Sequence, residues 1–349
     1  LCDREIACDS AVLQMISADE YQAYGTTLIN FAEKISSFSS PLAVGMSGNF
    51  RQMKRRILNI AVFRKETLYQ KMRALIIYLV ISAVFIGCTP ILSIDASTQN
   101  VYHFSDTDKN ISLLDISETF GTYDGSFVLY DNNLDSWKIY DLEEATKRIP
   151  PESTYKIYDA LLGLESGIIT PEHSSMTWNG DAFPFPSWEA DQDLNSAMQN
   201  SVNWYFQAID SQLGINRVQE FLNKIEYGNQ TTSSNLDLYW SDFSLKISPL
   251  EQVTLLKKFN TNEFHLNFQN VFSVKNAIKI ASTPNGNFYG KTGTGRVNGQ
   301  DINGWFIGYV ETSDNSYYFA TNIQSDSNAT GKKAFEITSD ILKKLHIWN

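Results

Sequence analysis

The feature that most constrains this chain is a run of 21 residues without a charged side chain, at 74–94. At about 1.5 Å per residue, a helix of this length extends about 30 Å, enough to cross the hydrocarbon core of a bilayer. Just before the run, residues 51–73 carry eight Lys and Arg against one acid, Glu66. Because basic flanks stay in the cytosol, the sequence predicts one transmembrane helix at 74–94, with residues 1–73 inside and the rest outside.

Two alternatives to a transmembrane helix stay open. A buried helix in the core of a large domain is also apolar, although 21 uncharged residues behind a basic flank are unusual for one. The Met-Arg pair at 72–73, followed by an apolar run that ends in Ile-Gly-Cys at 86–88, is also typical of a lipoprotein export signal. Against that signal, residues 22–35 have apolar side chains at helical spacing, which indicates folded protein upstream of the run.

Charge divides the chain at the same place. Residues 1–94 carry ten Lys and Arg against seven Asp and Glu, whereas residues 95–349 carry 18 against 32. All three cysteines lie in the first part, so the acidic part needs no disulfide framework, and the cysteine spacing does not indicate a metal cluster. The charge pattern gives no indication of nucleic-acid binding.

After a polar connector, 95–110, the acidic part predicts an α+β domain at 111–349, with an antiparallel sheet of terminal strands covered by helices. Residues 125–130 and 137–140 flank an Asp-Asn-Asn turn and predict a hairpin. Two more strands are predicted at 304–311 and 316–324. Apolar residues at helical spacing predict helices at 153–164, 197–210, 214–225, 248–259 and 332–345.

Three motifs in this domain contain the residue types that serine acyl transfer needs. In the first, Ser153 and Lys156 stand three residues apart and share one face of a helix. A serine hydroxyl needs an adjacent base, and a buried lysine that has lost its charge can serve, while the helix start directs backbone N–H groups at an oxyanion. In the second, the hydroxyl of Ser201 can relay a proton between Lys156 and a leaving nitrogen. Alone, each motif is equally typical of an ordinary helix.

The third motif, Lys-Thr-Gly-Thr at 291–294, lies on a predicted strand. Lys291 and Thr292 can bind a substrate carboxylate by charge and hydrogen bond. Gly293 leaves room for the substrate backbone, and the N–H of Thr294 can complete an oxyanion hole. Taken alone, the motif is also compatible with a glycine-containing turn and a solvated lysine.

In this order, and 48 and 90 residues apart, the three motifs match the signature of serine β-lactamases and penicillin-binding proteins. The domain resembles class D β-lactamases. It more closely resembles the sensor domain of the β-lactam sensor-transducers of Gram-positive bacteria, which regulate β-lactamase and methicillin resistance. The matching stretches cover nearly the whole acidic part and include 153–169, 185–206, 227–229, 239–240, 245–259 and 289–324.

The resemblance adds further site residues and one departure. Tyr227-Gly228-Asn229 is similar to the class D tyrosine motif, and Trp240 to the tryptophan packed near the active lysine, although either can be a packing or turn residue. In class D enzymes that lysine becomes a carbamate, the base of both acylation and deacylation. Where those enzymes carry an apolar residue, this chain has Asn203, whose carboxamide can accept a hydrogen bond from an ammonium group and stabilise it. We therefore expect little carbamylation and slow deacylation.

Residues 1–73 resemble the end of the membrane-embedded zinc protease of the same sensor-transducers. Glu5 and Asp9 form the E-x-x-x-D pattern that follows H-E-x-x-H in such proteases, where the glutamate is the third zinc ligand and the aspartate supports it. A solvated helix face produces the same common pattern. None of the four histidines belongs to H-E-x-x-H, so we expect zinc only in the complete protease. Either this chain is the C-terminal part of that protease or its gene is broken.

The resemblance implies a β-lactam receptor in the cell membrane. The drug would acylate Ser153 outside, and the long-lived adduct would activate a cytosolic protease that removes a transcriptional repressor of resistance genes. Self-cleavage near residues 54–56 is also implied, although these basic residues can equally serve only to orient the membrane helix. The sensor domain itself is expected to need no cofactor. The alternatives are a membrane-anchored class D β-lactamase and, less well matched, a cell-wall transpeptidase.

Overall fold

The computed structural model describes residues 2–36, 50–65, 69, 72–73, 75–78, 100–105, 107 and 109–348. The chain divides into two units, Leu1–Ile91 and Leu92–Asn349. Apart from residues 75–78, the predicted transmembrane segment 74–94 lies outside the described residues. Among the residues that the structure describes, no helix is both long and apolar enough to span a bilayer.

The described part of the first unit is helical. A capping box formed by Ser17 and Glu20 starts the short 3₁₀ helix Ala18–Glu20, which leads into the helix that the sequence predicts at 22–35. Leu13 and Ile60 are buried. The α-helices whose bounds the structure describes in this unit are Cys2–Met15, Tyr21–Ser36 and Phe50–Val62.

The second unit is built on a seven-stranded sheet, whose strands are β1 Asn110–Leu113, β2 Asp124–Asp131, β3 Ser136–Tyr140, β4 Lys279–Thr283, β5 Gly286–Val297, β6 Gln300–Thr312 and β7 Ser316–Gln324. Their order in the sheet is β1-β3-β2-β7-β6-β5-β4. The predicted hairpin corresponds to β2 and β3, and the two predicted C-terminal strands to β6 and β7. Neighbouring strands along the chain form hairpins at both ends of the unit, as expected for short connections.

Both faces of the sheet are buried. Successive side chains of a strand point to opposite faces, and along β2 Val128 belongs to the larger hydrophobic core whereas Phe127 and Leu129 belong to the smaller one. The C-terminal helix Gly331–Lys344 packs on the smaller core, and the other long helices contribute to the larger one. The prediction of an α+β domain with helices covering the sheet is therefore confirmed.

The prediction of a purely antiparallel sheet is wrong at one edge, because β1 pairs with β3 in parallel. β1 leads through the short helix Ser117–Phe120 into β2, which forms an antiparallel hairpin with β3, and β3 then pairs with β1 on its other edge. This connection brings two strands of the same direction together, since β2 runs opposite to both. The sheet is mixed.

One predicted helix is interrupted. The sequence predicts a helix at 197–210, but the structure has Leu194–Gln199 and Asn203–Leu213, with Ser201 between them in a left-handed conformation of φ 55°. The predicted helix at 153–164 begins as the 3₁₀ turn Glu152–Tyr155. The α-helices of this unit are Ser117–Phe120, Leu142–Thr146, Lys156–Glu165, Leu194–Gln199, Asn203–Leu213, Ile215–Ile225, Pro249–Asn260, Phe268–Ala277 and Gly331–Lys344.

Candidate active site

The three sequence motifs meet at one cleft of about 420 Å³. Ser153 comes from the 3₁₀ turn before the helix Lys156–Glu165, Ser201 from the break between two helices, and the third motif from β5. Three separate parts of the fold thus converge on one site. The motif residues that line the cleft are Ser153, Ser201, Asn203, Thr292, Gly293 and Thr294.

Lys156 is fully buried behind the nucleophile, and its amine has three polar contacts. Lys156 Nζ lies 2.8 Å from Ser153 Oγ, 2.9 Å from the carbonyl oxygen of Ser201 and 2.5 Å from Asn203 Oδ1. The aromatic ring of Phe206 lies 5.6 Å from Nζ. The base that a serine nucleophile needs is therefore within direct hydrogen-bond reach of its hydroxyl.

Burial lowers the pKa of Lys156 well below the ordinary value of a lysine, and the nearby Lys291 lowers it further. A neutral amine can accept the proton of Ser153. The expectation that Asn203 keeps this lysine charged is therefore incomplete: the predicted hydrogen bond is present, but burial dominates the pKa. Asn203 can still oppose a carbamate, because its Oδ1 and the Ser201 carbonyl present acceptors where the anionic carbamate oxygens would need donors.

Ser201 links the two lysines of the site. Its carbonyl accepts from Lys156, and its hydroxyl accepts a short hydrogen bond from Lys291 Nζ, which also donates to the carbonyl of Thr292 at 3.0 Å. Burial lowers the pKa of Lys291 to about 7. Ser201 thus presents its carbonyl to Lys156 and its hydroxyl to Lys291, so the hydroxyl that the sequence predicts as a proton relay contacts Lys291 in this structure.

The backbone of β5 approaches the nucleophile closely at Gly293. A methyl group added to Gly293 would lie 3.3 Å from the backbone nitrogen of Ser153 and 3.1 Å from the carbonyl oxygen of Pro151. The next residue, Thr294, is fixed through its hydroxyl, which accepts from the N–H of Gly331 at 2.8 Å. The structure therefore brings together the two residues, Ser153 and Thr294, whose N–H groups are predicted to form the oxyanion hole.

Tyr227 and Trp240 support the site from behind. Tyr227 is fully buried, and its ring centroid lies 5.2 Å from that of Tyr155, which follows the nucleophile by two residues. The ring of Trp240 stacks on that of Tyr155, with centroids 6.1 Å apart, and the Trp240 carbonyl accepts from the N–H of Glu152 at 3.1 Å. Neither belongs to the described residues that line the cleft. They pack the turn that carries Ser153.

Other cleft residues have no motif to indicate them. Phe185 and Trp188 form an aromatic pair, with ring centroids 5.3 Å apart, and Arg296 pairs with Asp301 at 2.7 Å. Aromatic side chains and ion pairs occur throughout folded proteins, so a single sequence gives no signal that singles them out. Glu152, which is buried next to Ser153 and does not line the cleft, belongs to no motif either.

The proposed zinc ligand Glu5 faces a cation. Arg56 Nε donates to Asp9 Oδ2 at 2.7 Å, its Nη2 donates to Asp9 Oδ1 at 2.8 Å, and its Nη1 lies 3.5 Å from Glu5 Oε2. Tyr24 also donates to Asp9. Among the residues for which positions are described, no three His, Cys, Asp or Glu side chains form a metal-binding group. These residues by themselves do not fit a zinc site, and no reaction step is assigned to one.

Two family models match the sequence. The penicillin-binding protein transpeptidase domain matches residues 125–343, which include all three motifs. The BlaR1 peptidase M56 family matches residues 1–60, which lie within the part that resembles the end of a zinc protease.

Proteins similar to this chain include regulatory proteins and β-lactamases. The regulatory protein BlaR1 of Bacillus licheniformis is 41% identical over 350 residues, which cover 99% of this chain but 58% of that protein. The solved C-terminal domain of the Bacillus licheniformis BlaR penicillin-receptor aligns with a TM-score of 0.67 and 45% identity, covering 69% of this chain and 99% of that domain. The class D β-lactamase BAT-2 aligns with a TM-score of 0.64 and 36% identity, covering 68% and 97%.

Proposed function

The chain belongs to the penicillin-binding protein transpeptidase domain family, and we propose that it is the C-terminal part of a β-lactam sensor-transducer whose Ser153 is acylated by the antibiotic. The observation that carries the proposal is the contact of 2.8 Å between Ser153 Oγ and the amine of the buried Lys156. Because the chain spans 58% of the length of BlaR1 from Bacillus licheniformis, signalling by the complete protein is part of the proposal.

Acylation begins when Ser153 Oγ attacks the carbonyl carbon of the β-lactam ring and its proton passes to Lys156 Nζ. The negative charge that develops on the carbonyl oxygen is stabilised by the N–H groups of Ser153 and Thr294. The carbon–nitrogen bond of the ring then breaks, and the nitrogen takes a proton that returns from Lys156 through the hydroxyl of Ser201. Lys291, with Thr292, holds the carboxylate of the drug.

The adduct persists because the carbamate that serves class D enzymes as the base of deacylation does not form. In this site Lys156 Nζ meets the acceptor Asn203 Oδ1 at 2.5 Å, where an anionic carbamate would be repelled. The same contact leaves the neutral amine available for the acylation step. The proposed outcome is a receptor that reacts once with the drug and remains acylated.

The complete protein would transmit this event across the membrane through the segment 74–94. A cytosolic zinc protease, of which residues 1–73 would form the end, would then act on a transcriptional repressor of resistance genes. Residues 54–56, the proposed region of self-cleavage, lie within the helix Phe50–Val62. A protease requires an extended substrate, so cleavage there would require this helix to unwind locally.

A membrane-anchored class D β-lactamase is the second candidate, supported by the alignment with BAT-2. It would use the same acylation chemistry but would release the drug as hydrolysed product. The two functions differ in the lifetime of the Ser153 adduct, which is long for a receptor and short for an enzyme. Asn203 beside Lys156 favours the receptor.

The proposed topology predicts the outcome of protease digestion. When protease is added to intact protoplasts that express the chain, residues 101–349 should be digested and residues 1–70 protected, since the basic flank of the apolar segment keeps the latter inside. Antibodies against each part would detect the fragments, and lysed protoplasts, in which both parts become accessible, provide the control. Protection of residues 101–349 in intact protoplasts would contradict a receptor for external drug.

A further inference from the structure

Glu152 immediately precedes the nucleophile and belongs to none of the three motifs. Its backbone has a left-handed φ of 52°, a conformation that residues other than glycine rarely adopt. Its N–H donates to the carbonyl of Trp240 at 3.1 Å, and only 6% of the residue is exposed. Strained backbone that the surrounding structure maintains is frequent at functional sites. The fold thus holds the Glu152 side chain inside the protein, directly beside the active serine.

The Glu152 side chain lies along β5. A methyl group added to Gly293 would lie 3.1 Å from Glu152 Cβ, and one added to Gly295 would collide with Glu152 Oε1. Between these glycines stands Thr294, and directly after Glu152 comes Ser153. One side chain therefore contacts the strand on both sides of one predicted oxyanion-hole donor and is covalently joined to the other.

We propose that Glu152 is a positioning residue for the oxyanion hole, and that it holds the N–H groups of Ser153 and Thr294 in register as a neutral carboxylic acid. This inference rests on the proposed acylation of Ser153. Oxyanion stabilisation depends on donors fixed before the reaction, and a displacement of about 1 Å at a reacting centre lowers rates by roughly a hundredfold.

The surroundings of the Glu152 carboxyl favour its neutral form. Asn303 Nδ2 donates to Oε1 at a long 3.3 Å and also donates to the carbonyl of Pro150 at 3.1 Å. Burial raises the pKa of Glu152 to about 8, although the Asn303 hydrogen bond and, when it is protonated, the amine of Lys156 act in the opposite direction. The turn Glu152–Tyr155 packs against the helix Lys156–Glu165 and against β5 and β6. Near these contacts the helix carries the charged or titratable residues Lys156 and Asp159, β5 carries Lys291 and Arg296, and β6 carries Asp301.

Ionisation of Glu152 would place a negative charge beside the hole in which negative charge develops on the substrate, and would therefore oppose acylation. Because the pKa of Glu152 is about 8, the neutral form predominates below that pH and is lost above it. Asp301 adds little to this effect, since it is paired with Arg296 at 2.7 Å. The rate of acylation should therefore report the protonation of Glu152.

The test is the pH dependence of the second-order acylation constant for benzylpenicillin, measured with the full chain in detergent. Lys291 also loses its charge in this range, so the informative quantity is the ratio of the Glu152→Gln constant to the wild-type constant at each pH. Glutamine has the same shape and cannot ionise. The ratio should rise about tenfold from pH 7 to pH 9, because the neutral fraction of a carboxylic acid with a pKa near 8 falls about tenfold over this range. Glu152→Ala, which removes the side-chain contacts with β5, should lower the constant by roughly tenfold to a hundredfold at every pH.

Glu251→Gln provides a matched control, because Glu251 is also buried but pairs with Arg148 and caps the helix Pro249–Asn260. This variant should lose thermal stability while its ratio to wild type stays constant with pH. Wild-type protein that benzylpenicillin does not acylate would overturn the proposed function itself. Normal wild-type acylation with a flat Glu152→Gln ratio, or with a Glu152→Ala variant as fast as wild type, would overturn the role of Glu152 alone.

Discussion

Replacing Ser153 by alanine is expected to abolish covalent labelling of the chain by fluorescent penicillin while the protein remains folded. The hydroxyl supplies the covalent bond between protein and drug in the proposed adduct, whereas its loss removes one hydrogen bond, with Lys156, worth about 1 kcal/mol of stability. Lys156→Ala should keep some labelling but slow it by roughly 10² to 10⁴, the usual effect of losing a general base. Gel fluorescence over a time course measures both effects.

Ser273→Ala is a suitable control, because Ser273 is half-buried outside the cleft and its hydroxyl donates to the carbonyl of Gln269 on its own helix. It should label at the wild-type rate. Circular dichroism of each variant would show whether lost labelling reflects lost chemistry or lost structure. Labelling that survives in folded Ser153→Ala would mean that another residue is the nucleophile.

Replacing Asn203 by valine is expected to shorten the lifetime of the adduct, and to shorten it further when bicarbonate is added. Valine removes the acceptor 2.5 Å from Lys156 Nζ and dries the pocket around an amine whose pKa burial already lowers. Carbon dioxide can then react with the amine to give the carbamate, which restores a base for attack by water. Each tenfold increase in the deacylation rate corresponds to about 1.4 kcal/mol of barrier.

Acylation of Asn203→Val should change less than deacylation, because the neutral amine of Lys156 can activate Ser153 before any carbamate forms. The exposed Asn195, on the preceding helix, allows a matched Asn195→Val control that should keep the wild-type lifetime. Release of labelled drug, measured in buffer with and without bicarbonate, gives the rates. An unchanged lifetime of the Asn203→Val adduct at high bicarbonate would refute this account of slow deacylation and leave the role of Ser153 intact.

Local pattern was sufficient to predict much of the fold. The strand at 316–324 has the predicted bounds, since its apolar residues follow directly on the turn at 312–315. The parallel pairing of β1 with β3 was not predicted, because it depends on contacts between segments about 25 residues apart. The break at Ser201 was missed for a related reason: its left-handed backbone is held by tertiary contacts with Lys156 and Lys291, whereas its sequence neighbours favour a helix.

The motif residues of the site were predictable because nucleophile, base and carboxylate site need particular side chains at short spacings. The structure brings Ser153, Lys156, Ser201 and Lys291 into one connected set of contacts. It places Tyr227 and Trp240 in the packing behind the cleft and not in the cleft lining. Sequence cannot make this distinction, because the same residue types occur in both positions. The effect of burial on Lys156 was underestimated for the same reason.

The most direct test of the central claim is intact-protein mass spectrometry of the full chain after a short exposure to penicillin and removal of free drug. The receptor account predicts one drug-sized adduct per chain, located on the peptide that contains Ser153 and still present after hours. A spectrum that returns to the unmodified mass within seconds to minutes, with continuous loss of drug when excess is left in place, would contradict the account and identify a β-lactamase.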